Sequence, residues 1–132
     1  MTLAVILPLA IAGCGDLTQG ELDRGIRTLS SIAAEGSIVA RQVAQDRTKT
    51  TFARVRAREL TDDVDHESEK LADATPGEGQ AGRRDRALDL AEKVGEALSV
   101  IEIYPEDEQR AAESESDLEG LAKLLSGLEE KK

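Results

Sequence analysis

Aromatic residues are nearly absent from this chain: Phe52 and Tyr104 are the whole inventory, and there is no Trp. A core without rings has to be assembled from Leu, Ile, Val and Ala. That suits helices with narrow aliphatic stripes better than sheets, whose strands draw on β-branched and aromatic side chains. The same shortage removes the stacking platforms on which proteins hold single-stranded nucleic acids. Cysteine occurs once, at Cys14, which excludes an internal disulfide. Histidine also occurs once, at His66, and gives nucleophilic catalysis of the His-assisted kind little to draw on. The apolar run Leu3 to Ala12, interrupted only by Pro8, falls well short of the ~20 residues that cross a bilayer.

What the chain does have is charge. Charged residues make up 33% of the 132 positions and apolar ones 39%, a balance that fits one domain of exposed helices around a modest core. The net charge of −10 is unevenly placed. Residues 1–58 carry 8 Lys/Arg against 5 Asp/Glu, and residues 59–132 carry 9 against 22. An acidic chain of this kind lacks the basic surface that general nucleic-acid binding requires.

The N-terminal run has the length of a signal-peptide core. It ends in Leu9-Ala10-Ile11-Ala12-Gly13-Cys14, followed by Gly15 and Asp16. This segment resembles the lipobox of bacterial lipoproteins, in which small residues precede an obligatory Cys. The resemblance covers residues 1 to about 16 and implies a processing route rather than a fold. It implies that Ile11, Ala12 and Gly13 are recognition positions. It implies also that Cys14 receives a diacylglyceryl thioether and becomes the mature N-terminus after cleavage. Residues 1–13 are then a signal peptide, 14–17 a lipidated Cys with a short tether, and 18–132 a single domain. The expected location is the outer face of the bacterial cytoplasmic membrane. One departure is plain: the family has a basic segment before the apolar run, and here only Met1 and Thr2 precede it. The expectation is a start codon further upstream.

Beyond Cys14 the apolar residues recur at helical spacing. Thr18-Gln19-Gly20-Glu21 has the form of a capping box, in which Thr and Glu side chains each satisfy a backbone N–H at the helix start. Leu22, Ile26, Leu29, Ala33, Gly36, Ala40 and Val43 follow at gaps of four and three. The stripe keeps its phase across Gly36, so the sequence predicts one helix over 18–46, with Gly36 on its inner face. Thr50 is the expected cap of a second helix over 51–74, with Ala53, Ala57, Leu60, Val64, Glu67 and Leu71 inward. Glu67 is the odd member, and snorkels or yields to Ser68. Residues 75–82 hold three Gly and a Pro and read as a loop. A third helix is expected over 83–104 on Ala87, Leu90, Val94, Ala97, Ile101 and Tyr104. A fourth is expected over 105–128 on Ala111, Ser114, Leu118, Leu121, Leu125 and Leu128, with Pro105 in its first turn. Short connections make sequential helices antiparallel neighbours. The fold class is therefore all-α, an up-and-down antiparallel four-helix bundle.

That topology and the position of Cys14 define two ends. Arg83, Arg84, Arg86, Lys131 and Lys132 belong to the end near Cys14, where each basic residue adds about 1 kcal/mol on an anionic membrane. Phe52 and Tyr104 belong to the far end, with Arg47, Lys49, Arg54, Arg56 and Arg58. Two readings of the far end stand. Phe52, Tyr104, Arg54 and Arg56 form a surface for another envelope protein, or the aromatics plug the end of the core and the Arg residues are a solvated face.

Other chemistry is sparse. His66 has Asp62 and Asp63 one turn back, a spacing conceivable for a metal, but di-metal bundles use a second His and further Glu. The reading here is no metal and a solvated acidic face. Gly77, Gly79 and Gly82 lack the strand and the Lys-Ser/Thr sequel of a phosphate loop. The expectation is a non-enzyme without a cofactor beyond its covalent lipid, acting as a structural or interaction lipoprotein. Two alternatives are an apolar ligand held at the small-residue face of Ala33, Gly36, Ala40, Ala53 and Ala57, and cations on the acidic half.

Overall fold

The computed structural model of the chain describes residues 18–129. They hold four helices and no strand: α1 (Gln19–Ala44), α2 (Thr50–Asp73), α3 (Ala81–Ile103) and α4 (Glu108–Leu128). α1 packs most extensively on α4, and α2 on α3. α3 with α4, and α1 with α2, close the ring. Between diagonal helices only α1 and α3 meet to any extent. Contacts between neighbouring helices run antiparallel. Ser30, in the first half of α1, donates to the Ala122 carbonyl late in α4, and Arg41 at the other end of α1 bonds Glu115 early in α4. Arg58 near the start of α2 bonds Glu102 at the end of α3. The bundle expected from the spacing is the one observed.

Local signals explain most of the ends. The Thr18 capping box forms in both directions: Glu21 N–H donates to Thr18 Oγ1 at 3.1 Å, and Thr18 N–H to Glu21 Oε2 at 3.3 Å. α1 stops at Ala44, two residues before its expected end, because Asp46 turns into the left-handed region (φ 52°). The Arg47 N–H then reaches the Gln42 carbonyl and the Asp46 N–H the Val43 carbonyl, the paired closure of a Schellman motif. Two helix starts are capped differently from the sequence reading. Thr50 is the first helical residue of α2 and not its cap. Lys49 holds the cap position and supplies no side-chain bond. Pro105 does not open α4. It sits at the first inner position of a turn closed by Asp107 N–H to the Tyr104 carbonyl, where its fixed φ is suited. α4 begins three residues later, with Asp107 accepting from the Arg110 N–H. An Asp cap satisfies an otherwise free donor, and Pro105 cannot, which is why the boundary moves.

The core is wholly aliphatic, and its small residues are placed where large ones arrive from across the bundle. Gly36 is buried in mid-α1. A Cβ there would stand 2.7 Å from Leu98 Cδ2 on α3 and 3.2 Å from Leu118 Cδ1 on α4. Both leucines are fully buried. Gly25 plays a similar part toward α2: a Cβ would meet Leu71 at 3.0 Å and Glu67 Oε1 at 3.2 Å. This accounts for Glu67 on the inner stripe. Its side chain crosses the space above Gly25, is 12% exposed, and reaches Lys70 at 3.5 Å.

These contacts give opposite signs to two similar substitutions. Gly36→Ala gains about 1 kcal/mol of helix propensity, but forces two immobilised leucines aside, which costs about 1–3 kcal/mol. The expected net effect in urea denaturation is a loss of about 1 kcal/mol. Gly95→Ala, where a Cβ meets nothing within 4 Å, is expected to stabilise by about 0.5–1 kcal/mol. A higher midpoint for Gly36→Ala would refute the packing described.

Candidate functional site

The two ends of the bundle are built differently. At the end where α1 begins, the loop between α2 and α3 brings Arg83 and Arg84 against every other helix. The Arg83 guanidinium donates to the Leu128 carbonyl of α4 through Nε at 3.0 Å and Nη2 at 2.8 Å, to Gln80 Oε1 at 2.9 Å, and to Asp23 of α1. Its side chain is only 17% exposed. Arg84 donates through Nη1 to the carbonyl of Ala74, the C-cap of α2, at 3.1 Å. A guanidinium suits this work because its fork of donors is rigid and always charged. It also places positive charge at the C-terminal ends of α2 and α4, where the helix dipoles favour it. Arg83 and Arg84, expected near the headgroups, stand at the Thr18 end with their guanidinium groups engaged by these carbonyls. Arg86 is exposed on α3. Lys131 and Lys132, like Ile11, Ala12, Gly13 and Cys14, lie outside the described residues.

The opposite end carries five of the six large exposed apolar residues of the described chain; the sixth, Leu124, stands one turn from the Thr18 end of α4. Ile38, Phe52, Val55, Ile103 and Tyr104 are all large and solvent-exposed. Each lies within roughly 9 Å, along its helix axis, of the loops that close this end. Phe52 is 55% exposed and Tyr104 45%. They do not plug the core; Ile101 and the buried Pro105 occupy that place. The Tyr104 ring is covered on one face by the Arg110 guanidinium, 3.7 Å from its centroid. Beside it, Arg54, Ile103, Pro105 and Asp107 line an open depression of about 600 Å³.

The basic residues here divide into bound and unbound. Arg56 is held by Glu35 of α1 and, at 2.9 Å, by Glu59 on its own helix. The hydrogen bonds it donates, to Glu35 first and Glu59 second, raise its pKa above the ordinary arginine value. Arg58 bonds Glu102 at 2.9 Å. Of the proposed rim, Arg47, Lys49 and Arg54 are exposed and form no ion pair among the described residues. Arg56 therefore belongs to the α1–α2 seam rather than to a free basic surface. No sequence spacing announces that pairing, because Glu35 and Arg56 meet only once α1 and α2 are antiparallel.

No protein-family model, curated protein or solved structure matches the chain. Its chemistry rests on its own geometry.

Sequence spacing also missed a groove on the other side of the bundle. Between α3 and α4, Ala97, Val100, Leu121 and Leu124 line an open cleft of about 610 Å³, edged by charges of both signs: Lys93, Glu96, Arg110, Glu113 and Asp117. Leu124 is 51% exposed. The signal was present in the sequence as Val100 and Leu124, which lie beside the inner stripes rather than on them. None of Ala33, Gly36, Ala40, Ala53 or Ala57 lines this cleft or three further ones on the surface of the described residues. The leucines opposite fill the space at Gly36, so the small-residue face marks close helix packing. His66, Asp62 and Asp63 are exposed on α2. Among the described residues, no three His, Cys, Asp or Glu are grouped to hold a metal.

The Arg83 arrangement is testable. Arg83→Met leaves the Asp23 carboxylate and the Leu128 carbonyl without that donor. The expected loss is about 2–3 kcal/mol, with faster amide exchange confined to the last turn of α4. Arg83→Lys should restore less than half, because an ammonium cannot span both acceptors. Unchanged exchange in α4 would contradict the capping role.

Proposed function

We propose that this chain is a lipid-anchored lipoprotein of the bacterial cell envelope. It acts without catalysis, as an interaction module that offers the end of its bundle farthest from the membrane to another protein. The observation that carries the reading is the asymmetry of the two ends. The end where the chain leaves the Cys14 segment is tied shut by Arg83 and Arg84. The opposite end exposes Ile38, Phe52, Val55, Ile103 and Tyr104 beside Arg47, Lys49 and Arg54, which form no ion pair among the described residues. Monomeric proteins rarely gather apolar side chains in one exposed region without a use for them. Aromatic and arginine side chains are the types that dominate binding energy at protein interfaces.

The anchor and the surface support each other. Cys14 stands four positions before Thr18, a span of at most ~14 Å, so an acylated Cys14 holds the bundle against the membrane. Two or three acyl chains give near-permanent attachment at about 0.8 kcal/mol per buried methylene. Among the described residues no helix is long and apolar enough to cross a membrane, and attachment in this reading comes from the lipid alone.

The test is expression in a bacterial host from a full-length upstream start, beside a Cys14→Ser version. The wild type should partition with membranes, begin at Cys14 and carry acyl mass there, and the variant should do none of these. A wild-type chain that is unacylated and still begins at Met1 would overturn the proposal.

A further inference from the structure

The α3–α4 groove has an apolar floor and an edge of both charge signs. Ala97, Val100, Leu121 and Leu124 form the floor, and Leu124 is exposed. Lys93 and Arg110 stand at the edge with Glu96, Glu113 and Asp117. Such an edge does little to steer a strongly charged partner, and the floor suits an uncharged one. The groove also reaches toward the start of the described residues. Ser30 on α1 bonds the Ala122 carbonyl and the Ser126 hydroxyl of α4, so Leu124 stands level with Ser30. Thr18 lies ~18 Å from that level along the α1 axis, and neighbouring helix axes are ~8–10 Å apart. Directly before Thr18 comes the longest apolar run of the sequence, Leu3 to Ala12, interrupted only by Pro8. Residues 2–15 carry no charged side chain.

We propose that in the unprocessed chain the run Leu3 to Ala12 lies in the α3–α4 groove and covers its floor. The length of chain allows it. The stretch from Thr18 back to Leu9 spans up to ~30 Å when extended, against ~20 Å in a straight line from Thr18 to Leu124. The stretch from Leu9 to Leu3 spans up to ~20 Å more. That is enough to follow the groove from Leu124 to the level of Ser114, ~15 Å along α4. The tether favours this occupant over a foreign one, because a segment on a short link meets its site at a local concentration of order millimolar. Each apolar side chain laid on the floor leaves water. Covering does not depend on acylation. Cleavage before Cys14, which belongs to the function proposed above, carries the cover away, so the groove is closed in the precursor and open in the processed chain.

The experiment uses the full chain carrying Cys14→Ser, which can be neither acylated nor processed at the lipobox, together with Leu7→Trp. The chain has no Trp of its own, so the emission reports that segment alone. Without detergent or lipid the protein should be soluble, with emission blue-shifted from that of the urea-unfolded chain. Quenching by acrylamide should be about threefold weaker than in the unfolded chain, because the ring is out of water. Both values should be the same at low and high micromolar protein. Adding Leu124→Glu should return both to the unfolded values with unchanged circular dichroism, since position 124 is exposed. Lys123→Glu puts the same carboxylate one residue away, off the groove lining, and should leave the shielding intact. Solvent-like emission in the starting protein overturns the proposal, as does a chain that is insoluble without detergent. Shielding that survives Leu124→Glu places the segment elsewhere, and shielding lost on dilution assigns it to contacts between copies; either result also overturns it. Because this protein cannot be acylated, none of these outcomes bears on the lipid anchor, and failure of acylation in the wild type leaves the covered groove standing.

Discussion

The arrangement of the four helices depends on a place where a side chain is missing. With no tryptophan and only two aromatics, the bundle has no ring to wedge its helices into register. Gly36 does that work by absence: it admits Leu98 from α3 and Leu118 from α4 to the α1 backbone. Here the diagonal pair α1 and α3 comes into contact. A single methyl group there collides with Leu98 and crowds Leu118, both fully enclosed. Dispersion contacts of this sort are individually small and collectively large. In an aliphatic core they replace the bulk that aromatic residues supply elsewhere.

From that interlock the two ends follow separate logics. Near Thr18 four chain segments converge, and the carbonyls of Ala74 and Leu128 need donors. Arg83 and Arg84 supply them, and Asp23 balances the charge. At the other end the turns close themselves, through the Asp46 left-handed turn and the Pro105 turn. No side chain has to be drawn inward there. Phe52, Val55, Ile103 and Tyr104 are left outside as a result. In the proposed role the fixed end faces the lipid and the self-closed end is free to meet a protein.

Much of this was legible before the structure. Helical periodicity located all four helices to within about three residues at each end, because a stripe at gaps of four and three is a strong and local signal. The Thr18 capping box was readable for the same reason. Gly36 was placed correctly on the inner face, though its partners Leu98 and Leu118 were not. What escaped was set by tertiary geometry. Lys49 rather than Thr50 caps α2, because the chain leaving the Asp46 turn arrives one residue early. Arg83 and Arg84 look like headgroup ligands in sequence and are cap donors in the fold. Arg56 looks like part of a free basic rim and belongs to Glu35. Arg83, Arg84 and Arg56 each found a partner far away in sequence or across a loop, and no short-range pattern encodes that. The α3–α4 groove was hidden likewise, since Val100 and Leu124 sit beside the inner stripes rather than on them.

The central claim is directional: acylated at Cys14, the bundle stands with the α2–α3 loop at the membrane and the α1–α2 loop away from it. α1 spans ~39 Å at 1.5 Å per residue, so the two loops should differ in depth by most of that length. The direct measurement is quenching of a fluorophore by headgroup-borne quencher in vesicles that carry the acylated protein. The fluorophore is placed through Gln45→Cys in one sample and Glu78→Cys in another. The account predicts strong quenching at position 78 and almost none at position 45. Equal quenching at both positions, or the reverse order, would contradict it.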